Sequence, residues 1–415
     1  MPRSVNGVLQ VDEHGRLILP PEIAARLGLT PGREAMFSLH GAALHITPPI
    51  EHLARVNLEI TNACNLDCAT CMRNVWDEPI GRMDAALFAR VLDGLHSFWP
   101  RPLVFFGGYG EPLAHPDVVE MVRQVKALGC TTELITNGIL LHPQTAAALL
   151  DAGLDTLWAS LDGATPEHYS DVRLGAELPR VLENIAHLRQ LRDRNSSTRP
   201  QIGIAFVAMQ SNIADLPEVL RLGAHLGAER FSVSNVLAHT PQLNREVLYR
   251  RCLDRNTRPD AHPQVDLPYM DLSPETTAAL AGVLDGPYDT WIAGERLRQP
   301  APVCPFIRKA SLSIRWDGAV SPCLPLLHTH TSHLGQHERQ SQAHIVGHLA
   351  EHSLNELWQA EDYQALRRRL QHFDFSPCVF CNSCEMADAN REDCFGNRLP
   401  ACGGCLWAQG LIQCP

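Results

Sequence analysis

Between residues 51 and 240 six short apolar segments recur, each followed by a longer amphipathic stretch, and this alternation leaves few ways to fold. The segments are Val56 to Thr61, Leu103 to Phe106, Thr132 to Thr136, Thr156 to Leu161, Gln201 to Ala208 and Arg230 to Val236. Such a pattern predicts β/α units around a parallel sheet, with helices covering the strands. In barrels of such units the chemistry lies at the carboxyl ends of the strands. The residues just after each segment are therefore the ones to read for function.

The first segment runs into Ile60-Thr-Asn-Ala-Cys-Asn-Leu-Asp-Cys-Ala-Thr-Cys-Met-Arg-Asn74, in which Cys64, Cys68 and Cys71 follow a C-x3-C-x2-C spacing. A [4Fe-4S] cluster is normally held by four Cys thiolates, so a compact triplet without a close fourth leaves one iron open to a ligand that is not protein. Two other uses of the thiols stay open at this point, a zinc knuckle and plain structural cysteines. Zinc prefers closure by four N or S ligands, and His52 and His96 stand in no familiar zinc spacing with the triplet.

Composition narrows the classes further. The chain has 415 residues, 45% of them hydrophobic and 20% charged, as in ordinary soluble proteins. Its amino terminus carries no stretch of signal-peptide length, and no run approaches the ~20 apolar residues of a membrane span. A cytoplasmic protein without a membrane role is expected, and there fourteen cysteines serve metal or redox chemistry rather than a disulfide framework. A net charge of -11 speaks against sequence-independent binding to nucleic acid or anionic lipid, which needs excess Lys and Arg.

Pro102-Leu-Val-Phe-Phe-Gly-Gly-Tyr-Gly-Glu-Pro112 carries the second segment into a turn where Gly107, Gly108 and Gly110 let backbone approach a ligand closely. The third ends in Ile135-Thr-Asn-Gly138, and the fourth in Ser160, with Arg173 about a turn into the next helix. In this order behind the cysteine triplet, these motifs resemble the radical S-adenosylmethionine (SAM) enzymes. The resemblance implies an α/β fold built on a partial (β/α)6 TIM-type barrel over residues 51–240. It implies a [4Fe-4S] cluster on Cys64, Cys68 and Cys71, with SAM chelating the open iron and being cleaved by one electron to a 5'-deoxyadenosyl radical. It also implies SAM contacts from the turn bearing Gly107, Gly108, Gly110, Glu111 and Pro112, from Asn137 facing the pocket, and from Ser160 and Arg173 at the carboxylate and ribose. Val207, Met209 and Asn212 are expected to flank the adenine.

Nine of the fourteen cysteines lie in residues 301–415. Cys304-x13-Gly318-x4-Cys323 brackets an expected hairpin from Leu312 to Ser321 turning at Asp317-Gly318. An amphipathic helix from Leu354 to Leu370 follows, then Cys378, Cys381, Cys384, Cys394, Cys402, Cys405 and Cys414. The opening spacing resembles the SPASM domain, which holds one or two auxiliary [4Fe-4S] clusters; the later spacing departs from that pattern after Cys381. All nine thiols are candidate auxiliary ligands, and a zinc ribbon from Cys378, Cys381, Cys402 and Cys405 is the structural alternative. His328, His330, His333, His337, His344, His348 and His352, set among Ser, Thr and Gln, read as an exposed insertion. Residues 241–300 read as an irregular connector with a helix near Ser273 to Leu284 and an isolated Cys252. Cys130 reads as a buried structural thiol.

Residues 1–50 predict a hairpin turning at His14-Gly15, a short helix from Pro21 to Leu27 ended by Gly28, and a second hairpin. This order resembles the AbrB/SpoVT swapped-hairpin module. Arg3, Arg16, Arg26 and Arg33 balance Asp12, Glu13, Glu22 and Glu34, which favours homodimerisation or partner docking over DNA reading. The front end, with the closing Ala401-Cys-Gly-Gly-Cys-Leu-Trp-Ala-Gln-Gly410, resembles a subgroup of maturases for tungsten-cofactor oxidoreductases. The expected substrate is a peptide, a protein or a protein cofactor, and the expected electron donor a ferredoxin or flavodoxin. An iron-sulfur redox-sensing regulator is the alternative, though a sensor needs no SAM pocket. No residue is assigned as substrate-side acid or base.

Overall fold

The six apolar segments pair as strands, and the inner ones bury side chains on both faces. In the computed structural model, which describes residues 9–40, 43–173, 177–250, 263–284, 288–292, 295–296, 304–334, 337–381 and 384–414, they form β1 (Arg55–Leu58), β2 (Leu103–Phe106), β3 (Thr132–Thr136), β4 (Thr156–Ser160), β5 (Gln201–Ala208) and β6 (Ala228–Asn235). Each pairs in parallel with the next. Val104, Phe105 and Phe106 are all buried, as a parallel strand covered on both faces requires. Helices α1 (Ala85–His96), α2 (Val118–Ala127), α3 (Pro143–Asp151), α4 (Pro166–Val172), α5 (Leu178–Arg194) and α6 (Leu216–His225) carry the crossovers. α1 begins where the Asp84 side chain accepts the Leu87 N–H, and it buries Phe88, Val91 and Leu95 along one stripe.

The sheet does not end at β1. The expected hairpin of the cysteine-rich region forms as β7 (Ser311–Ile314) and β8 (Ala319–Ser321), turning at Gly318 with φ +91°. β7 also pairs in parallel with β1, Leu312 opposite Val56. With the hairpin β9 (His330–Leu334) and β10 (His337–Ser341) lying outside it and β11 (Gly347–His348) at its edge, the main sheet runs β6-β5-β4-β3-β2-β1-β7-β8-β11. The barrel and the carboxyl-terminal region thus share one sheet. At the other edge the chain's last residues close on β6: Asn235 Nδ2 donates to Leu411 O at 2.7 Å and the Gln413 N–H to Ser234 Oγ at 3.1 Å.

Three expectations need correction. The histidine-rich segment is not an exposed insertion: its β9–β10 hairpin packs against the rest of the fold, with His328 and His330 buried. The helix from Leu354 to Leu370 is two helices, α7 (Leu354–Gln359), opened by a Ser353–Glu356 capping box, and α8 (Glu361–His372). The break falls at Ala360, whose ψ of 132° is extended and cannot continue a helical ladder. Residues 241–300 are not wholly irregular, since Gln264–Leu267 and Asp289–Ile292 pair in parallel across the helix Pro274–Leu284. Cys252 lies outside the described residues.

At the amino end the expected order appears, with hairpin Gln10–Val11 and Leu17–Ile18, helix Pro21–Arg26, and hairpin Met36–His40 and Ala43–Thr47. No helix among the described residues is long and apolar enough to cross a membrane.

Candidate cofactor site and auxiliary thiol sets

The loop leaving β1 is pinned at its start. Thr61 Oγ1 donates to Gly81 O at 2.7 Å, Asn62 Nδ2 donates to Pro79 O at 2.9 Å, and Asn62 Oδ1 accepts the Gly81 N–H at 2.7 Å. Further along, the Ala69 N–H donates to Val172 O at the end of α4. So held, Cys64, Cys68 and Cys71 line one open cavity of about 250 Å³, together with Gly108, Tyr109, Gly110 and Glu111 after β2, Asn137 after β3, Ser160 at the end of β4, and Arg173. Every one of these groups sits at the carboxyl end of the parallel sheet.

Polar hydrogens already point at the sulfurs. The Leu66 N–H lies 3.4 Å from Cys64 Sγ, Asn137 Nδ2 3.8 Å from the same atom, and Arg173 Nη1 3.9 Å from Cys68 Sγ. Burial raises the pKa of all three thiols, Cys68 to about 11, so unaided they stay protonated. A bound cationic centre deprotonates such thiols outright. Three thiols around one open cavity are the donor type that an iron-sulfur cluster takes.

Gly110 makes the approach of turn and loop feasible. A Cβ there would overlap the Thr61 carbonyl oxygen and lie 2.8 Å from that of Ala63, both rigid backbone. The Glu111 N–H donates to Ala63 O at 2.8 Å across the same contact. We expect Gly110→Ala to push turn and cysteine loop apart and weaken SAM binding by about tenfold or more, a 1 Å misplacement being costly in such sites; equilibrium dialysis of SAM against reconstituted protein reads this.

Arg173 is fixed before any ligand arrives. Its Nη2 sits 2.6 Å from Asp162 Oδ2, both side chains buried, while Asp162 Oδ1 accepts the Val207 N–H at 2.8 Å. Burial works to lower the Arg173 pKa, but the Asp162 carboxylate overrides it and raises it. Asp162→Asn strips a buried guanidinium of its counter-charge, and we expect a loss of about 3–5 kcal/mol in stability, seen as a lower denaturant midpoint. Glu111, also buried, accepts N–H groups from Leu113 and Asn137 at 3.0 and 2.8 Å. Burial raises its pKa against those donors. It knits the turn to the end of β3.

The carboxyl-terminal thiols fall into two sets and a remainder. Cys304, Cys323, Cys402 and Cys405 line a second cavity, near enough to raise one another's pKa. Cys378, Cys384 and Cys394 act in the same sense on Cys381. Cys414 stands apart against the barrel, near Lys309 and Arg55. Arg339 lines both the first set's cavity and the one beside Cys378 and Cys381, donating to the carbonyls of Ala387 and Ala401. Leu237 and Trp407 line both the first set's cavity and that of the Cys64 loop.

Comparison with known proteins agrees with this geometry. The Radical SAM superfamily model matches residues 58–234, and that of the SPASM iron-sulfur cluster-binding domain matches 304–385. The chain is 31% identical over 369 residues, 86% of its own length and 96% of the relative's, to the tungsten-containing aldehyde ferredoxin oxidoreductase cofactor-modifying protein of Pyrococcus furiosus. The chain belongs to the radical SAM superfamily. A second radical SAM relative, the PqqA peptide cyclase of Gluconobacter oxydans, is 31% identical over 51% of this chain and 57% of that protein. Among solved structures, Streptococcus suis SuiB bound to precursor peptide SuiA shares the fold, with TM-score 0.51 and 15% identity over 80% of this chain and 70% of that one. The protein is a radical SAM/SPASM enzyme whose cofactors are SAM and [4Fe-4S] clusters.

Of the residues expected to contact SAM in this radical SAM fold, Gly108, Gly110, Glu111, Asn137, Ser160 and Arg173 meet in the one cavity. Gly107 packs against Phe105 and Ile135, and Pro112, buried, opens a 3-10 turn. Met209 is buried in the core, its N–H donating to Asn212 Oδ1 at 2.8 Å, and does not line the cavity. Asn212 itself ties together Asp162 O and Val207 O. Sequence reading passed over Asp162 and Trp407. The first carried a signal, an acid directly after the fourth strand segment; the second, some 250 residues further on, carried none.

Proposed function

We propose that this radical SAM/SPASM enzyme is a maturase that modifies a peptide, a protein or a protein-bound cofactor, with a tungsten oxidoreductase as the partner that best fits the similarity along nearly the whole chain. The observation that carries the reading is the convergence of Cys64, Cys68 and Cys71 with Gly108, Gly110, Ser160 and Arg173 on one cavity. Cys64, Cys68 and Cys71 would hold the catalytic cluster, which would supply the electron for reductive cleavage of SAM and so the radical chemistry on the substrate. The backbone at Gly108 and Gly110 receives the SAM amino end, and Ser160 and Arg173 hold its carboxylate and ribose. Arg173 does so without reorganising, because Asp162 has already oriented it.

Cys304, Cys323, Cys402 and Cys405 are the proposed ligands of one auxiliary cluster, and Cys378, Cys381, Cys384 and Cys394 of a second. Cys414 is assigned to neither. Leu237 and Trp407 form the wall between the SAM cavity and the first set, a path one side chain thick for an electron leaving a substrate radical. A ferredoxin or flavodoxin is the proposed donor. The experiment is anaerobic reconstitution with iron and sulfide, followed by dithionite and SAM: 5'-deoxyadenosine is the expected product, and its absence from a protein with a full iron complement would refute the reading.

The amino-terminal hairpins support homodimerisation. Phe37 and Leu39, two apart on one strand and so on one face, are 72% and 65% exposed, and Leu44, opposite Leu39, is exposed as well. We expect wild-type protein to sediment as a dimer and Phe37→Asp/Leu39→Asp as a monomer; equal sedimentation of the two would exclude this face.

A further inference from the structure

His328 lies in the carboxyl-terminal region, ten residues past the β7–β8 turn, yet it is buried completely between two carboxylates of the barrel. Its Nε2 lies 3.0 Å from Glu59 Oε1, just after β1, and its Nδ1 lies 2.6 Å from Glu78 Oε2, just after the cysteine loop. An ionised carboxylate only accepts, and a neutral imidazole has a single N–H. Two carboxylates facing both ring nitrogens therefore require an imidazolium. Arg315 Nη1 lies 3.7 Å from Glu78 Oε2, and its Nη2 lies 2.7 Å from Asp317 Oδ2. The ring is stacked on Trp76, centroids 4.1 Å apart, and meets the edge of Tyr109.

The other oxygen of Glu59 has a different task. Oε2 accepts the Tyr109 N–H at 3.0 Å, in the middle of the glycine-rich turn that lines the SAM cavity. A Cβ on Gly108 would fall 2.5 Å from the same oxygen, so the turn lies directly on this carboxylate. One side chain thus joins the end of β1, the segment leaving the cysteine loop and the auxiliary region, and it reaches the SAM turn through a single intermediate, Glu59.

We propose that His328, charged between Glu59 and Glu78, is a positioning residue that fastens the glycine-rich SAM turn and the cysteine loop to the auxiliary region. This rests on the reading of the cavity as a SAM site. The groups facing the ring are Glu59 just after β1, Glu78 from the loop, Tyr109 from the turn, Arg315 beyond Glu78, and His330 two residues on at the start of β9, whose low pKa of about 4 keeps it neutral. Burial works to lower the His328 pKa, but the two carboxylates outweigh it and raise it above the ordinary 6.5. The fastening is therefore complete below that ordinary value and is lost as pH rises through the raised one.

Hydrogen exchange at the Tyr109 amide, corrected for intrinsic rates, reads the contact without needing catalysis. We expect His328→Gln to speed exchange of the peptide carrying Tyr109 about tenfold at pH about 6.5, with peptides of β3 to β6 unchanged, and to weaken SAM binding to the reconstituted protein by a similar factor. Wild-type protection should fall with rising pH, and that of His328→Gln should not. Glu78→Gln, at a partly exposed position, should give a smaller change in the same peptide and covers the case in which His328→Gln does not fold. Wild-type exchange in both variants, or loosening spread evenly through the barrel, would overturn the proposal. A wild type that shows the pH-dependent protection but forms no 5'-deoxyadenosine would instead refute the SAM reading and leave the contact standing.

Discussion

Replacing Cys64, Cys68 and Cys71 together by Ala is expected to abolish 5'-deoxyadenosine formation while leaving the auxiliary iron in place. The three thiols come from one loop and line one cavity, and the remaining candidate ligands belong to elements after residue 303. Iron analysis should fall by about four per chain from about twelve, one cubane of three, and reduced samples should keep the auxiliary signals. Burial makes each thiol a poor anion alone, so the alanines remove no buried charge and the barrel should still fold. Product from the triple variant at the wild-type rate would show that SAM is cleaved elsewhere. Loss of all iron together with product would show one cooperative metal core rather than separate sites.

The barrel was legible because its code is short in range. Leu103 to Phe106, Thr132 to Thr136 and Gln201 to Ala208 have in the sequence the bounds the structure gives, since apolar β-branched and aromatic runs carry their period, and Gly107 and Asn137 mark the ends of the first two. What escaped was long in range. Nothing near Ser311 announces that it will pair with Arg55, because register between segments some 250 residues apart is set by packing rather than by local propensity. The histidine-rich segment misled for a related reason. Polar spacing there is that of a solvated loop, while His328 is buried against Glu59 and Glu78 of the barrel and His330 against Trp407.

The same division runs through the site. Cys64, Cys68, Cys71, Gly108, Gly110 and Glu111 stand in compact runs whose spacing carries chemical meaning, and all of them line the cavity. Met209 was drawn from position after a strand, and there an apolar side chain turned into the core. Asp162 and Glu59 do their work by orienting Arg173 and holding the Tyr109 N–H. Groups that act on another side chain leave no spacing rule in the chain, so only the folded geometry brings them out.

The auxiliary thiols give the second large effect, and it decides how the carboxyl-terminal cysteines pair. We expect Cys402→Ala/Cys405→Ala to lose about four irons with Cys304 and Cys323, and Cys381→Ala/Cys384→Ala to lose a different four. The two losses should add in the fourfold variant if, as proposed, each set holds its own cluster. A zinc ribbon joining Cys378 and Cys381 to Cys402 and Cys405 predicts instead that either pair removes the same metal, that the losses do not add, and that zinc rather than iron is found. Sequence spacing alone allowed that ribbon. In the fold the Cys378 and Cys402 loops lie side by side, a Cβ on Gly403 overlapping Ser376 O, and Arg339 stands where both thiol cavities meet, so the metal analysis decides between the two pairings. A cation so placed would offset the negative charge of thiolates in either set. Cys414→Ala should keep all iron, its thiol facing Lys309 and Arg55 rather than either set; loss of a cluster in that variant would move Cys414 into a ligand set.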